Sequence, residues 1–220
     1  MARLGIVTIG QSPRVDMVPE MTAWLPPVEL VERGALDGLT RAEIAVLAPG
    51  EQSGEVLTTR LDDGSSVDLD HDLIVVRVQD AIEWLEATGV DATLVVCTGH
   101  FPPLRHARPL LLAESLLVAG VRGLTGSGRL GVVCPLPEQE EMSRAKWPGA
   151  LVAAATPYRE GAERTVAEAA RRLVGAGAEW IVLDCMGYTD AMRRAAAAAA
   201  GVPALLARSV VARLAGEVVA

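Results

Sequence analysis

The chain has 220 residues, a formal net charge of −8 and an apolar fraction of 50%. A chain of this length buries about 70% of its unfolded surface, which suffices for one large domain or two small ones. The acidic balance and the scarcity of aromatic residues argue against a nucleic-acid partner, which needs a basic face or stacking platforms. No apolar stretch reaches the length of a membrane span and no export signal is recognisable, so a cytoplasmic protein without a membrane partner is expected.

The chain contains similar segments twice. It begins with RLGIVT at residues 3–8, a short β-branched run that predicts a buried parallel strand, and a similar run, RLGVVC, occupies residues 129–134. The second pair is stronger, because GVDATLVVCTG at 89–99 and GAEWIVLDCMG at 177–187 share glycine, acid, apolar strand, cysteine and glycine at identical spacings. The sequence therefore predicts two similar halves.

Between these runs the hydrophobic pattern predicts alternating helices and strands. The predicted helices cover residues 16–24, 71–87, 108–119, 136–146, 160–175, 189–199 and 208–218. Further strands are predicted at residues 28–33, 151–155 and 204–206. Such alternation gives a parallel sheet with helices on both faces, so the expected fold class is α/β.

Two lobes are expected, one at residues 1–125 and one at 129–220, with the last helix packing back on the first lobe. Two lobes of this type imply a cleft near the carboxyl ends of their strands. The first lobe carries extra chain, in which two short runs within residues 55–69, joined by the turn DDG, predict a β-hairpin. This hairpin is expected to cover the cleft or to form a dimer contact.

Cys97 and Cys185 each stand where a buried strand ends, and each is followed, after one residue, by a glycine. Glycine lets the backbone turn sharply, so that N–H groups can approach a ligand. A half-enclosed thiol near a helix N-terminus has its pKa lowered towards neutrality. We therefore expect two thiols of lowered pKa that face one pocket from opposite sides. The alternative is that each cysteine is a small buried side chain without a chemical role.

Two opposed thiols suit the inversion of a carbon that bears an acidic proton. One thiolate removes the proton from one face while the opposite thiol donates to the other. Neither a metal nor an organic cofactor is needed if N–H donors stabilise the enediolate. Thr98, Gly99, Gly187 and Tyr188 are placed to supply those donors.

Three further residues are candidates for substrate binding. Ser12 and Arg14 follow the first strand, where Arg14 could bind a carboxylate bidentately; alternatively, Ser12 and Asp16 cap the next helix and Arg14 is solvated. Cys134 replaces Thr8 in the repeat, so it is expected to point towards the cleft, as a lining residue or as inert packing.

These residues together resemble the AroM family, which is placed with the aspartate/glutamate racemase-like superfamily. The resemblance is carried by TIGQSPR at 8–14, VVCP at 132–135, LDCMGY at 183–188 and RSVVARLA at 208–215. It implies two Rossmann-like lobes related by a pseudo-twofold axis. It also implies cofactor-independent chemistry by one cysteine from each half, at the positions of Cys97 and Cys185. Superfamily racemases tend to have Cys-Asn-Thr and Gly-Cys-Thr-His-like motifs, whereas this chain has CTG and CMG.

The expected function is therefore a racemase or isomerase that acts on a small carboxylate or amino acid. Relatives with a single cysteine act as decarboxylases, so a decarboxylase that uses Cys185 alone is the first alternative. A non-catalytic metabolite-binding or regulatory protein, linked through the family name to aromatic amino-acid biosynthesis, is the second. The superfamily and the hairpin also point to a homodimer.

Overall fold

The computed structural model describes residues 1–220 and divides into two compact units. Lobe one comprises Met1–Glu114 together with Ala215–Ala220, and lobe two comprises Ser115–Leu214. Each lobe contains one four-stranded, fully parallel sheet with helices packed against it. The α/β fold with two parallel-sheet lobes is thereby confirmed.

Lobe one is built on a sheet whose strand order is β2-β1-β5-β6. Its strands are β1 Arg3–Thr8, β2 Glu29–Gly34, β3 Val56–Arg60, β4 Ser66–Asp70, β5 Ala92–Val95 and β6 Leu110–Leu112. Its helices are α1 Val18–Thr22, α2 Arg41–Val46 and α3 His71–Ala87. The strands β3 and β4 form a separate antiparallel hairpin, as predicted. An apolar core joins this hairpin, the sheet and α3.

Lobe two repeats this arrangement without the hairpin. Its elements are α4 Ala113–Thr125, β7 Leu130–Cys134, a 3-10 turn at Pro137–Gln139, α5 Glu140–Lys146, β8 Leu151–Ala154, α6 Ala162–Gly175, β9 Trp180–Leu183, α7 Asp190–Ala200, β10 Ala204–Leu206 and α8 Ala207–Val219. The first residues of α4 and the last residues of α8 belong to lobe one. The sheet order β8-β7-β9-β10 is the order of lobe one with each strand replaced by its counterpart. The internal repeat of the sequence is therefore a repeat of topology.

The hydrogen bonds at the strand starts repeat as well. In lobe one the Arg3 N–H donates to the Asp91 carboxylate at 2.8 Å, and the Asp91 N–H donates to the Arg3 carbonyl at 2.8 Å. In lobe two Arg129 and Glu179 make the same two bonds, both at 2.8 Å. The acid at a fixed place in the repeated motif thus ties two neighbouring strands together in each lobe.

Glycine within the first strand of each lobe allows a helix to pack closely on the sheet. A methyl group on Gly5 would meet the Leu85 Cδ1 of α3 at 3.0 Å, and one on Gly131 would meet the Leu173 Cβ of α6 at 2.9 Å. Real Cβ contacts are rarely so short, so a larger side chain would push the helix away from the sheet.

One predicted element is partly wrong. The helix expected at residues 108–119 begins only at Ala113, because Leu110–Leu112 forms β6 and pairs with β5. A run of three leucines fits a helix and a buried strand equally well, so periodicity alone does not distinguish them. The predicted helix at 71–87, in contrast, agrees with α3, whose N-cap is the Asp70 side chain.

Candidate active site

Cys97 lies two residues beyond the end of β5, a buried strand in the middle of the lobe-one sheet. Its side chain is largely buried, with 9% exposed. The Sγ atom accepts a hydrogen bond from the Gly99 N–H at 3.4 Å. The carboxyl ends of parallel strands are the usual place for ligands in α/β sheets, and a donated N–H favours the charged form of an acceptor.

The loop that follows Cys97 is held by the first residue of α3. The Nε2 atom of His71 lies 2.7 Å from the His100 carbonyl oxygen, and its Nδ1 lies 2.9 Å from the Asp72 carboxylate. Burial lowers the pKa of His71, but these two acceptors and the charge of Glu55 outweigh it, so the pKa is raised. Because both ring nitrogens face acceptors, the protonated imidazolium is the form that best anchors this loop.

Cys185 occupies the equivalent place in lobe two, two residues beyond the end of β9. Its Sγ atom accepts a hydrogen bond from the Gly187 N–H at 3.3 Å, as Cys97 does from Gly99. The Tyr158 hydroxyl lies 3.5 Å from the same sulfur. Both lobes thus present one Cys-x-Gly loop in which the glycine N–H points at the sulfur.

The expected lowering of the thiol pKa is wrong for Cys185. Burial is the largest influence and raises the pKa of this thiol, and the hydrogen bonds from Tyr158 and Gly187 lower it without compensating. The nearby Asp184 raises it further, whereas Arg208 lowers it. Removal of the thiolate from water therefore outweighs the donors in the loop, and Cys185 is protonated at neutral pH.

A buried ion pair fixes the residue that directly precedes Cys185. The Asp184 side chain is 1% exposed, and its Oδ2 lies 2.7 Å from the Lys146 Nζ. The Trp147 Nε1 donates to the same oxygen at 2.7 Å. Since Lys146 ends α5 and Trp147 follows it, these contacts join α5 to the residue that directly precedes Cys185.

A buried arginine fixes the other side of the loop. Arg208 is 2% exposed and is the second residue of α8. Its Nε donates to the Met186 carbonyl at 2.5 Å, and its Nη2 donates to the Gly187 carbonyl at 3.2 Å. With both carbonyls held, the N–H of Gly187 is oriented towards the sulfur.

The predicted substrate-binding residues after β1, Ser12 and Arg14, already have hydrogen-bond partners within lobe one. The Ser12 hydroxyl donates to the Asp37 carboxylate at 2.6 Å, and neither Ser12 nor Asp16 caps α1. Arg14 is buried, and its Nε and Nη2 contact the Asp16 carboxylate at 2.8 and 2.9 Å. Its Nη1 donates to the Thr8 hydroxyl at 2.9 Å. A substrate carboxylate would therefore compete with Asp16 for this guanidinium.

The predicted N–H donors are used inside the cysteine loops. Gly99 and Gly187 donate to the sulfur atoms, and the Tyr188 N–H donates to the Cys185 carbonyl at 3.3 Å. The buried Tyr188 hydroxyl donates to the Ala155 carbonyl at 2.7 Å, and burial raises its pKa well above the usual value. Thr98 is buried as well. These groups therefore support the loop geometry.

Cys134 is the last residue of β7 and is 1% exposed. Its thiol lies 3.5 Å from the Leu136 carbonyl and 3.8 Å from the Ala153 carbonyl. Burial raises the pKa of the Cys134 thiol to about 11. At neutral pH this thiol is therefore protonated and unreactive.

Three residues beside the cysteine loops, Glu55, Tyr158 and Arg208, were not predicted to have a function. For Arg208 a signal exists, because PLLLAES at 109–115 and PALLARS at 203–209 form a third repeat. This repeat aligns Glu114 with Arg208. Glu114 contacts His100, which follows Cys97, at 3.2 Å, so the aligned position contacts the cysteine loop in both lobes.

The raised pKa of Cys185 predicts steeply pH-dependent alkylation. Because its pKa lies above the ordinary value of 9.0, the rate with iodoacetamide should rise about tenfold per pH unit from pH 7 to 9. Tyr158→Phe should slow the reaction further, since it removes a hydrogen bond that lowers the pKa. Peptide mass spectrometry resolves each cysteine, and unfolded protein is the control. A rate plateau below pH 8 would contradict the prediction.

The two lobes, each with a cysteine loop at the carboxyl end of a central strand, define a protein of the racemase-like fold. The allantoin racemase from Klebsiella pneumoniae is similar at 16% identity and TM-score 0.68, over 100% of this chain and 88% of that one. An arylmalonate decarboxylase is similar at 15% identity and TM-score 0.61, over 99% of this chain and 92% of that one. A glutamate racemase from Bacillus anthracis is similar at 13% identity and TM-score 0.61, over 99% of this chain and 81% of that one. At these identities the likeness establishes the fold alone.

The family is shown by the sequence itself. A family model described as AroM protein matches residues 4–219, and the chain therefore belongs to the AroM family, as its motifs predicted. No curated protein matches the chain. None of its helices combines the length and apolar character needed to cross a membrane.

Proposed function

We propose that the protein is a cofactor-independent racemase or isomerase of a small carboxylate or amino acid, with Cys97 and Cys185 as its proton-transfer groups. One observation carries the proposal: both lobes direct a glycine N–H at the sulfur of a cysteine at the end of a central strand, at 3.4 and 3.3 Å. A cysteine that only fills space needs no such donor. Two donors at equivalent places favour a sulfur that carries charge during its function.

In the proposed reaction, a thiolate takes the proton from the carbon next to the carboxylate. The electron pair left on that carbon spreads into the carboxylate and forms an enediolate. The second thiol then donates its proton to the opposite face, so that the thiol and the thiolate have exchanged roles. The proposal requires both sulfur atoms to reach one substrate carbon. Burial raises the pKa of the Cys185 thiol, which suits this thiol to the role of proton donor.

The comparisons support this class of reaction. The similar structures include two proteins named as racemases, of allantoin and of glutamate, and one named as an arylmalonate decarboxylase. Racemisation and decarboxylation both pass through a carbanion that must be protonated by the protein. A racemase-like or decarboxylase-like activity therefore fits the fold.

A decarboxylase that uses Cys185 alone is the second candidate. Burial raises the pKa of this thiol, so it is available as an acid. After the thiol has given up its proton, the Tyr158 hydroxyl, 3.5 Å from the sulfur, can donate a hydrogen bond to the thiolate. A protonated thiol is what the carbanion left after loss of carbon dioxide requires. In this reaction Cys97 would have no proton-transfer role.

One assay separates the candidates. The protein is incubated in D2O with D- and L-glutamate, allantoin and phenylmalonate, while NMR follows hydrogen exchange at the reacting carbon and a carbon dioxide assay follows decarboxylation. Exchange with inversion of configuration is the expected result. Carbon dioxide release from phenylmalonate without inversion of any substrate would favour the decarboxylase. Saturable binding without exchange or release would contradict both and leave a binding or regulatory protein.

A further inference from the structure

A carboxylate from the inserted segment lies beside the Cys97 loop. Glu55 directly precedes β3, the first strand of the hairpin in lobe one. A methyl group placed on Gly99 would meet the Cys97 Sγ at 3.4 Å and the Glu55 Oε1 at 3.9 Å. The nearest atom to that point is the Leu57 Cδ2, at 2.6 Å, so the sulfur and the carboxylate oxygen border a small space that the Leu57 side chain partly fills.

The two oxygens of this carboxylate differ in their surroundings. Oε2 lies 3.9 Å from the His71 Nε2, whose hydrogen bond goes to the His100 carbonyl. Oε1 is fully buried and has no hydrogen-bond partner in the protein. A buried carboxylate oxygen without a donor is unfavourable, and almost all buried polar groups in folded proteins are paired. The exceptions are concentrated at functional sites, where stability is traded for activity.

Lobe two places a different polar group at the equivalent position. The connection from its edge strand β8 to α6 carries Tyr158, and a methyl group on Gly187 would meet the Tyr158 hydroxyl at 2.6 Å. The connection from the edge strand β2 to α3 carries Glu55. Each cysteine loop thus receives one polar side chain from the same connection, an acceptor beside Cys97 and a hydroxyl beside Cys185.

We infer that Glu55 is a substrate-binding residue that accepts a hydrogen bond from a nitrogen substituent on the reacting carbon. The inference rests on the proposed function, because that function brings the carbon to Cys97. An anionic acceptor attracts an ammonium or amide N–H and repels the substrate carboxylate, so it also sets the orientation of the substrate. The substrate class is therefore carboxylates with an N–H-bearing substituent at the α-carbon.

Matched ligand pairs test this inference. Titration calorimetry compares L- and D-glutamate with glutarate, and L- and D-aspartate with succinate, which differ only in the amino group. The wild-type protein should bind the preferred amino-bearing ligand at least about tenfold more tightly than its partner, because the analogue leaves Oε1 unpaired. Glu55→Gln keeps the shape and a neutral acceptor and should reduce this ratio. Glu55→Met removes the acceptor and should abolish it.

Two controls distinguish binding from a structural role. Glu51→Gln removes an exposed acid of the same segment and should leave the ratio unchanged. Glu55→Gln should melt within about 3 °C of the wild-type temperature, because the ion pair that it removes, between Glu55 Oε2 and His71 Nε2, is long at 3.9 Å and partly exposed. A melting temperature several degrees lower would assign Glu55 a structural role and overturn the inference.

The outcomes separate this inference from the proposed function. If wild-type protein exchanges the α-proton of glutamate but Glu55→Met keeps the wild-type ligand ratio, the inference fails and the proposed function stands. If the ratio depends on Glu55 while no ligand exchanges its proton, the inference stands and the proposed function fails. If wild-type protein binds no amino-bearing ligand, or binds both members of each pair equally, the inference is overturned.

Discussion

Cys97→Ala and Cys185→Ala are each expected to slow racemisation by about 10²–10⁴-fold, the usual contribution of a general acid or base. Each thiol serves one face of the reacting carbon in the proposed reaction. Each variant should therefore keep exchange, without inversion, from one enantiomer only, and the two variants should differ in which enantiomer that is. Chiral chromatography measures inversion, and NMR in D2O measures exchange for each enantiomer separately.

Cys134→Ala is the matched control for these variants. Its thiol is 1% exposed and has a pKa of about 11, so its removal should leave the rate of racemisation nearly unchanged. Full racemisation by Cys97→Ala would contradict the two-cysteine reaction. Release of carbon dioxide that is lost only in Cys185→Ala would support the decarboxylase instead.

Asp184→Ala is expected to lower the free energy of unfolding by about 3–5 kcal/mol, the usual effect of removing one partner of a buried ion pair. The variant loses the acceptor for the Lys146 ammonium and the Trp147 indole N–H, both at 2.7 Å from Oδ2. For a chain of this size the loss corresponds to a melting temperature lower by about 10 °C. Chemical denaturation and calorimetry measure the two quantities.

Asp190→Ala provides the comparison, since it removes a carboxylate of the same lobe whose ion pairs with Arg193 and Arg194 are more exposed. Exposed pairs contribute about 0–1 kcal/mol, so its effect should be much smaller. Equal destabilisation by Asp184→Ala and Asp190→Ala would contradict the stabilising role assigned to the buried pair.

The overall topology was predictable because the repeat constrains it. Two strands that share glycine, acid, cysteine and glycine at fixed spacings must occupy equivalent places in two similar sheets, and the strand orders β2-β1-β5-β6 and β8-β7-β9-β10 agree with this. The hairpin was predictable from its turn residues, and α3 from its N-cap at Asp70. In each case the signal is local in the chain.

The surroundings of the thiols were not predictable in the same way. Tyr158 is 27 residues from Cys185 in the chain, and Glu55 comes from an insertion that has no counterpart in the repeat. Neither residue belongs to a pattern, because its position depends on how the connection after an edge strand folds back. The direction of the Cys185 pKa shift depends on opposing contributions, and their balance follows from burial that the sequence does not reveal.

The hairpin in lobe one has a consequence for chirality. If both thiols had the same surroundings, proton transfer at each of them would meet the same local electrostatic environment. The insertion removes that equivalence, since it places an acid beside the loop of one thiol while the other thiol contacts a phenol. The proton-transfer steps at the two thiols are therefore expected to differ in their rate constants, while the equal stabilities of the free enantiomers fix the overall equilibrium.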